Sequence, residues 1–569
     1  MRIPLTATRL SWDGTKVTHT PAGLLTDALE AHLNGQGPPG LVVLGSYGSG
    51  KTTLCNDCAE AAIDGMPLRS VVPLRQVARQ SNVQMGLLTA LGSQRSNEAA
   101  SGERVLLLDG LDEVARPGER GFSSFFTEVT ACAGPRWVLT SRPGHFRTDE
   151  AEPEPDQVDV LGLEHITLLR IDPLPLAFVR QTLSARPGGA ELLESVQGLE
   201  QLVTSPILLH VVEAAWPFIE PGRPIQPWGV FDAWIRHALD TGEGHDVAME
   251  RLVGLCWRAF RDTGVSSEGA SFCAGDVAEL ELPSSLRSAL LVTDLDGRLR
   301  LGHRSVYEFL VSTWIAPRVL ANQGHGPDEL TGLHLSEATR AFLVGQVGKM
   351  PVIYDGDRVR IPRGNYVSGG DHSSDERPLL IRHVAEPFWI SRAPVTNADW
   401  GRFLDANPDD RIDAHYLPQW GIERTPPADR PDAPVYNIWP SDADSYAAWA
   451  GGRLPSASEW EKATRGLDGR LWPWGDYWVR GAAVTSETGV ERPLPARAFG
   501  AQGDAGLFSA VGGVFEYTSS LWRGRQNRGR VVMGGCFTHD PSVSRTGLRL
   551  SHKLSGNLKA GLRLTWPPD

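Results

Sequence analysis

Cysteine and methionine are both scarce, six of each in 569 residues. Cys55, Cys58, Cys132, Cys256, Cys273 and Cys536 are too few and too scattered to staple a chain of this length, which excludes a disulfide framework and suits a reducing compartment. No apolar run approaches the ~18 residues that a membrane helix requires, and the opening MRIPLTATRLSWDG has no apolar core of the signal-peptide kind. A cytoplasmic protein without membrane contact is expected. Positive charge is in deficit: 55 Lys plus Arg stand against 68 Asp plus Glu, a net charge of −13. That balance leaves no basic footprint for a nucleic-acid backbone. Apolar residues, by contrast, make up 41% of the chain and charged residues 22%, which excludes a mainly disordered or collagen-like polymer. The length exceeds what one core supports, so several domains are expected.

Tryptophan marks where the chain changes character. Of 18 tryptophans, 11 lie after residue 380, whereas the first half alternates Leu/Val runs with amphipathic stretches. The seam is expected at 321–350, where ANQGHGPDELTG is rich in glycine and acidic residues and MPVIYDGDRVRIPRGNY then begins a short-strand pattern. Four buried strands are legible upstream, in PGLVVLG, RSVVPLRQVA, ERVLLLDG and RWVLTSRPG, separated by helical stretches. Such alternation implies a parallel sheet covered on both faces. Beyond residue 160 the pattern turns helical: PLAFVRQTL, PILLHVVEAAW, WGVFDAWIRHAL, AMERLVGLCWRAF.

The loop between the first strand and its helix reads Gly45-Ser-Tyr-Gly48-Ser-Gly50-Lys51-Thr52, matching G-x-x-x-x-G-K-[ST] without a mismatch. Its glycines let backbone N–H groups converge on phosphate oxygens at a helix N-terminus; Lys51 would neutralise the β/γ-phosphates, the Thr52 hydroxyl would ligate Mg²⁺, and Thr53 continues the helix start. An acidic residue should end a second buried strand, and Asp109 closes VLLLD about 60 residues downstream. Asp112 and Glu113 follow in LDGLDEV. Three carboxylates so close repel one another unless a cation, or a water being deprotonated, sits among them. The CxxC of Cys55 and Cys58 lies on the helix after the loop without a second ligand pair, so these are read as packing residues.

These residues resemble the NACHT branch of the STAND signal-transduction NTPases: LLLDGLDEV as Walker B, VLTSRPGHF with Arg142 at the γ-phosphate sensor, LVTSPILLHVV with Pro206 near the adenine, and LRLGHRSVYEFLVSTW with His303 at the ADP β-phosphate. Val306 and Tyr307 stand where that family usually has Phe and Gln. The resemblance covers about residues 38–320. It implies an ATP/ADP switch with slow turnover, in which ADP holds a closed form and ATP permits an open, oligomerising one; nucleotide identity acts only through different affinity for the two states. The roughly 38 residues before the loop are too few for an independent effector domain, so output is expected through a separate effector protein in trans or through a homo-oligomer.

The second half carries another resemblance. IPRGNYVSGG, EPFWISRAPVTNADW, RLPSASEWEKATRG, LWPWGD, SAVGGVFEYTSSLW and RVVMGGCF…SRTGLRL…AGLRL, over about 355–566, resemble the formylglycine-generating enzyme domain, whose fold is C-type-lectin-like with little regular structure. Large aromatics suit such a core. The family's chemistry needs a cysteine pair that binds copper. Ser544 and Arg549 stand at those positions and Cys536 is the one thiol in the segment, so copper and oxidase activity are not expected. Calcium does not carry over intact: Glu516 keeps one ligand position, but Ser509 replaces an Asn and Arg497 an Asp. A fold that keeps its core and loses its chemistry suits a binding surface. The scaffold also resembles the variable proteins of diversity-generating retroelements, which implies contact positions among Phe537, Thr538, His539, Asp540, Ser542, Ser544, Thr546, Leu548, Leu550, His552 and Lys553. Alternate residues would share a face if this stretch is extended.

The expected fold class is therefore multidomain: an α/β P-loop NTPase with a parallel sheet, helical and winged-helix subdomains, then a mixed α+β C-type-lectin-like domain. The expected boundaries are a short N-terminal segment 1–38, a nucleotide core 39–160, a helical subdomain 161–225, a winged-helix-like subdomain 226–320, a linker 321–350 and the C-terminal domain 351–569. The leading reading is an ATP-dependent sensor switch whose C-terminal domain binds a protein ligand, in the setting of bacterial defence or conflict. An ATP-gated oxidase of copper or non-haem-iron type and a DNA-binding regulator stand behind it.

Overall fold

The computed structural model describes residues 3, 5–12, 17–45, 49–60, 68–77, 83–92, 104–111, 122–133, 136–141, 146, 158–161, 163–190, 193, 203, 206–216, 226–238, 245–263, 271–272, 291–293, 299–301, 304–408, 426–522, 529–551 and 559–568. They form two compact units, Met1–Val311 with His372–Ser374, and Ser312–Asp371 with Asp375–Asp569.

The first unit is built on seven strands: β1 (Thr6–Trp12), β2 (Val17–Leu24), β3 (Gly40–Leu44), β4 (Leu68–Pro73), β5 (Arg104–Asp109), β6 (Trp137–Ser141) and β7 (Ile166–Ile171), in the order β2-β1-β7-β3-β6-β5-β4. The five from β7 to β4 run parallel. All four strands legible in the sequence are among them. Side chains alternate between two cores: Val42, Leu44, Leu106, Leu108, Leu139 and Leu168 pack on one face, Leu41, Val43, Leu107, Val138 and Leu169 on the other. Burial on both faces is why these strands read as unbroken apolar runs. Cys55 and Cys58 pack in the second core.

The structure departs from two expectations. The helical pattern does not begin at residue 161, because Ile166–Ile171 is a strand beside β3; the helices resume at Leu176–Ser184, Pro206–Ala215, Pro227–Ala238 and His245–Thr263. The N-terminal segment is not separate from the sheet either, since the β1–β2 hairpin pairs antiparallel with β7. Further along, β8 (Ser271–Phe272), β9 (Leu291–Thr293) and β10 (Leu299–Leu301) form a small antiparallel sheet before the helix Arg304–Ala321.

The second unit has short strands, as expected of a loop-rich fold. β11 (Ile353–Asp355), β12 (Arg358–Ile361), β15 (Phe388–Ser391) and β20 (Thr565–Trp566) make one antiparallel sheet, and β13 (Gly364–Ser368) pairs with β14 (Leu380–Val384). β16 (Phe515–Leu521), β17 (Arg530–Met533), β18 (Leu550–Ser551) and β19 (Ala560–Gly561) make another, with β16 and β19 parallel. Aromatics fill the space these strands leave: Trp400 stacks on Tyr446 at 5.3 Å, and both meet Phe403 edge-on.

The stretch 321–350, expected as a linker, is part of this unit. Ser336 caps the helix Glu337–Leu343 by accepting from Thr339 N at 3.1 Å, and Arg340, 2% exposed, grips Asp476 through two bonds of 2.9 and 2.8 Å. Asp328 accepts from Asn322 at 2.8 Å and from Asn365 at 2.7 Å. The glycine and acidic content that suggests a linker supplies turns and internal acceptors: Gly324 and Gly332 have φ near +89° and +88°.

Candidate functional site

In the first unit β3 delivers the chain to the helix Lys51–Glu60, whose first turn holds no acidic residue. A helix N-terminus of that kind favours an anion. Gly50 turns with φ +88°, a conformation that favours glycine, and a Cβ at Gly45 would lie 2.2 Å from Ser49 Oγ and 2.9 Å from Ile171 Cδ1, so a larger residue there would have to push these side chains aside. Lys51 Nζ donates to Gly45 O at 2.7 Å. Thr52 Oγ1 donates to Asp109 Oδ2 at 2.7 Å, and Thr140 Oγ1, from β6, donates to Asp109 Oδ1 at 2.6 Å. Asp109 is buried, at 8% exposed. Burial, with the Asp109 charge next, pushes the Cys55 thiol well above its usual range.

The residues fit a magnesium-bound phosphate. Ser49 Oγ and Ser141 Oγ are buried beside the loop without a protein hydrogen-bond partner, which leaves both hydroxyls open to a ligand or an ordered water. Asp109 and Thr52 offer the hard oxygen donors that Mg²⁺ selects. Pro206 lies here as well, its Cγ 3.7 Å from where a Cβ on Gly50 would stand. Thr53 follows on the exposed side of the helix. Gly48, Asp112, Glu113, Arg142 and His303 fall outside the described residues. Thr140 was not singled out from the sequence; a threonine in VLTS carries only a strand signal.

In the second unit the segment after Gly534-Gly535 is not an extended strand. Asp540 Oδ1 accepts from Ser542 N at 2.9 Å and Pro541 starts a 3₁₀ turn, Pro541–Ser544, so the expected alternation fails. Phe537, Ser544, Thr546 and Leu548 are buried, at 2%, 0%, 0% and 7% exposed, and are removed from the candidate contact set. Thr538, Asp540 and Ser542 are exposed; His539 and Leu550 are half-buried; His552 and Lys553 lie outside the described residues.

Ser544 Oγ is enclosed without a partner. Arg549 Nη2 meets Glu461 Oε2 at 2.6 Å, and Arg465 Nη1 meets Glu461 Oε1 at 2.8 Å. Burial would raise the Glu461 carboxyl, but Arg549 and Arg465 hold it below the usual range. Cys536 Sγ lies 3.0 Å from His539 Nδ1 and 3.2 Å from Thr538 Oγ1, and burial pushes the thiol up. The thiol is fully buried, and burial raises its pKa, whereas a reactive cysteine has a lowered pKa and is reachable by solvent. Calcium does not fit either. Glu516 is taken by Arg563 at 2.9 Å and Trp460 Nε1 at 2.7 Å, Ser509 Oγ donates to Ala496 O, and Arg497 pairs with Asp357 at 2.6 Å. Among the described residues no group of three or more His, Cys, Asp or Glu is placed to hold a metal ion, and no helix is long and apolar enough to cross a membrane.

Residues 345–567 match the model of the sulfatase-modifying factor enzyme 1-like domain family. The formylglycine-generating enzyme of Thermomonospora curvata is 32% identical over 279 residues, covering 34% of this chain and 91% of the relative. Hercynine oxygenase of Mycolicibacterium smegmatis is 30% identical over 270 residues, 37% of this chain and 61% of its own length; the chain thus spans less than two thirds of that relative. The inactive C-alpha-formylglycine-generating enzyme 2 of Mus musculus is 26% identical, covering 32% of this chain and 73% of the relative. Two solved structures align distantly: variable protein 1 of Treponema denticola (16% identity, 38% of this chain, 99% of that one, TM-score 0.29) and a STAND ATPase with a tetratricopeptide repeat sensor from Pyrococcus horikoshii (12% identity, 52% and 44%, TM-score 0.28). Through its C-terminal unit, the chain belongs to the sulfatase-modifying factor enzyme 1-like family.

Proposed function

We propose that this protein is a nucleotide-governed switch of the STAND type, with a catalytically silent formylglycine-generating-enzyme-like unit serving as its ligand-binding module. The reading rests on one helix start that carries Lys51, whose Nζ donates to the loop carbonyl of Gly45, and Thr52, whose hydroxyl donates to Asp109. When bound, Mg²⁺ supplies charge neutralisation at the β/γ-phosphates. Lys51 and the helix start would hold the phosphates, Thr52 and Asp109 would hold the ion, and Pro206 would pack near the adenine. Arg142 reads the γ-phosphate, His303 the β-phosphate, and Asp112 and Glu113 orient the attacking water.

Silence of the C-terminal unit rests on Ser544, Arg549 and the enclosed Cys536: a single buried thiol forms no copper pair. Thr538, Asp540 and Ser542 remain the exposed contact candidates, for a protein ligand such as an invader's. Engagement opens the ADP form, ATP enters, and the assembled chains act on a separate effector. Sedimentation of the full chain loaded with Mg·ADP or with a non-hydrolysable Mg·ATP analogue tests this. The ATP-analogue form is expected to sediment as a larger species once ligand is present; identical profiles in every nucleotide state contradict a switch.

A further inference from the structure

Thr140 occupies a position that the proposed chemistry does not yet use. It is fully buried in β6, its Oγ1 donates to Asp109 Oδ1 at 2.6 Å, and the same oxygen accepts from Gly110 N at 2.9 Å. A hydroxyl has one proton to give. A carboxylate oxygen only accepts, so that proton goes to Asp109 Oδ1 while a lone pair of the hydroxyl takes the Gly110 N–H. Asp109 is thus held from two sides, by Thr52 at the head of the nucleotide helix and by Thr140 in the neighbouring strand. The next residue, Ser141, accepts from Gly45 N at 3.0 Å through its carbonyl and leaves its own buried hydroxyl unpartnered. One strand end therefore braces both the acidic group and the first glycine of the loop.

We infer that Thr140 is the positioning residue of the magnesium-side carboxylate: it pins Asp109 Oδ1 so that Oδ2 and Thr52 Oγ1 face the ion. The inference rests on the nucleotide reading above and adds a residue to it. Ligand-orienting partners of this kind change metal affinity by about 10–100-fold when removed. They do so without touching the phosphates.

The test compares binding of a fluorescent ADP analogue to the full chain with Mg²⁺ and with EDTA. Thr140→Val, which keeps the shape and loses the hydroxyl, should weaken binding about tenfold in Mg²⁺ and less than twofold in EDTA, and Thr140→Ser should restore the Mg²⁺ value. Wild-type affinity of the valine variant in Mg²⁺, or equal losses with and without Mg²⁺, overturns the inference while leaving the nucleotide reading intact. A wild-type chain that binds no nucleotide overturns both. Should the valine variant not fold, hydrogen exchange of the wild type decides: the Gly110 amide is expected to stay protected when Mg·ADP binds, and loss of that protection means that Thr140 has released its partners and overturns the inference.

Discussion

Glu461 shows how a single residue can make the C-terminal unit depend on charge. It is fully buried against Arg465 and Arg549, so removing one arginine leaves a carboxylate short of a partner where water cannot replace it. Arg465→Met should cost about 3–5 kcal/mol of stability, read from urea unfolding followed by tryptophan fluorescence. Arg402→Ala is the control: its pair with Asp399 is exposed, so the loss should stay below ~1 kcal/mol. Equal losses would contradict the weight given to burial. The Glu461–Arg465 pair is legible in SEWEKATR, four positions apart on one helix. Arg549 is not, because only the tertiary fold brings it there, and the sequence marks it merely as a missing cysteine. Asp109 is legible because a charge ending an apolar strand needs a reason; Thr140 is a common strand residue and needs none.

At the scale of elements, strands written as unbroken apolar runs were readable, and β7, broken by Thr167 and Arg170, was not, although it lies inside the sheet and feeds both cores. GLVVL and VLLLD exclude water on both sides, so nothing but apolar residues serves there. β7 alternates more, ITLLRI, and lies next to helical stretches whose periodicity swamps it. The helix Ala457–Arg465 offers a pH test. Lys462 donates to Pro362 O at 2.7 Å and Gly364 O at 3.0 Å, tying this helix to the chain entering β13. Burial lowers its ammonium from 10.5 to about 7. Between those values the unfolded chain binds more protons than the folded one, so stability should rise as pH climbs from about 7 towards 10.5, with the full penalty present below 7. Lys462→Met should flatten that rise in urea midpoints measured across the range; an unchanged slope would contradict the assignment.

At the scale of the whole molecule, the two units differ in how their chemistry can be read. A phosphate site is written in consecutive residues, whereas the catalytic pair of the C-terminal family depends on two positions in a segment whose path is set by turns. Hence a single cysteine, Cys536, was visible in that segment, but the burial of Phe537, Ser544, Thr546 and Leu548 was not. The boundary near 321–350 was missed for a similar reason, since glycine and aspartate serve internal turns as well as linkers. Purified protein should carry no stoichiometric copper and should consume no oxygen with a cysteine-bearing peptide; metal-dependent turnover would overturn the silent assignment. A grip of Lys51 and Asp109 on a nucleotide is decided by calorimetric titration of the full chain with ADP and ATP in the presence of Mg²⁺. One site per chain, weakened without Mg²⁺ and abolished in Lys51→Ala, is the predicted result. Absence of binding heat with either nucleotide in the wild-type chain would contradict the account.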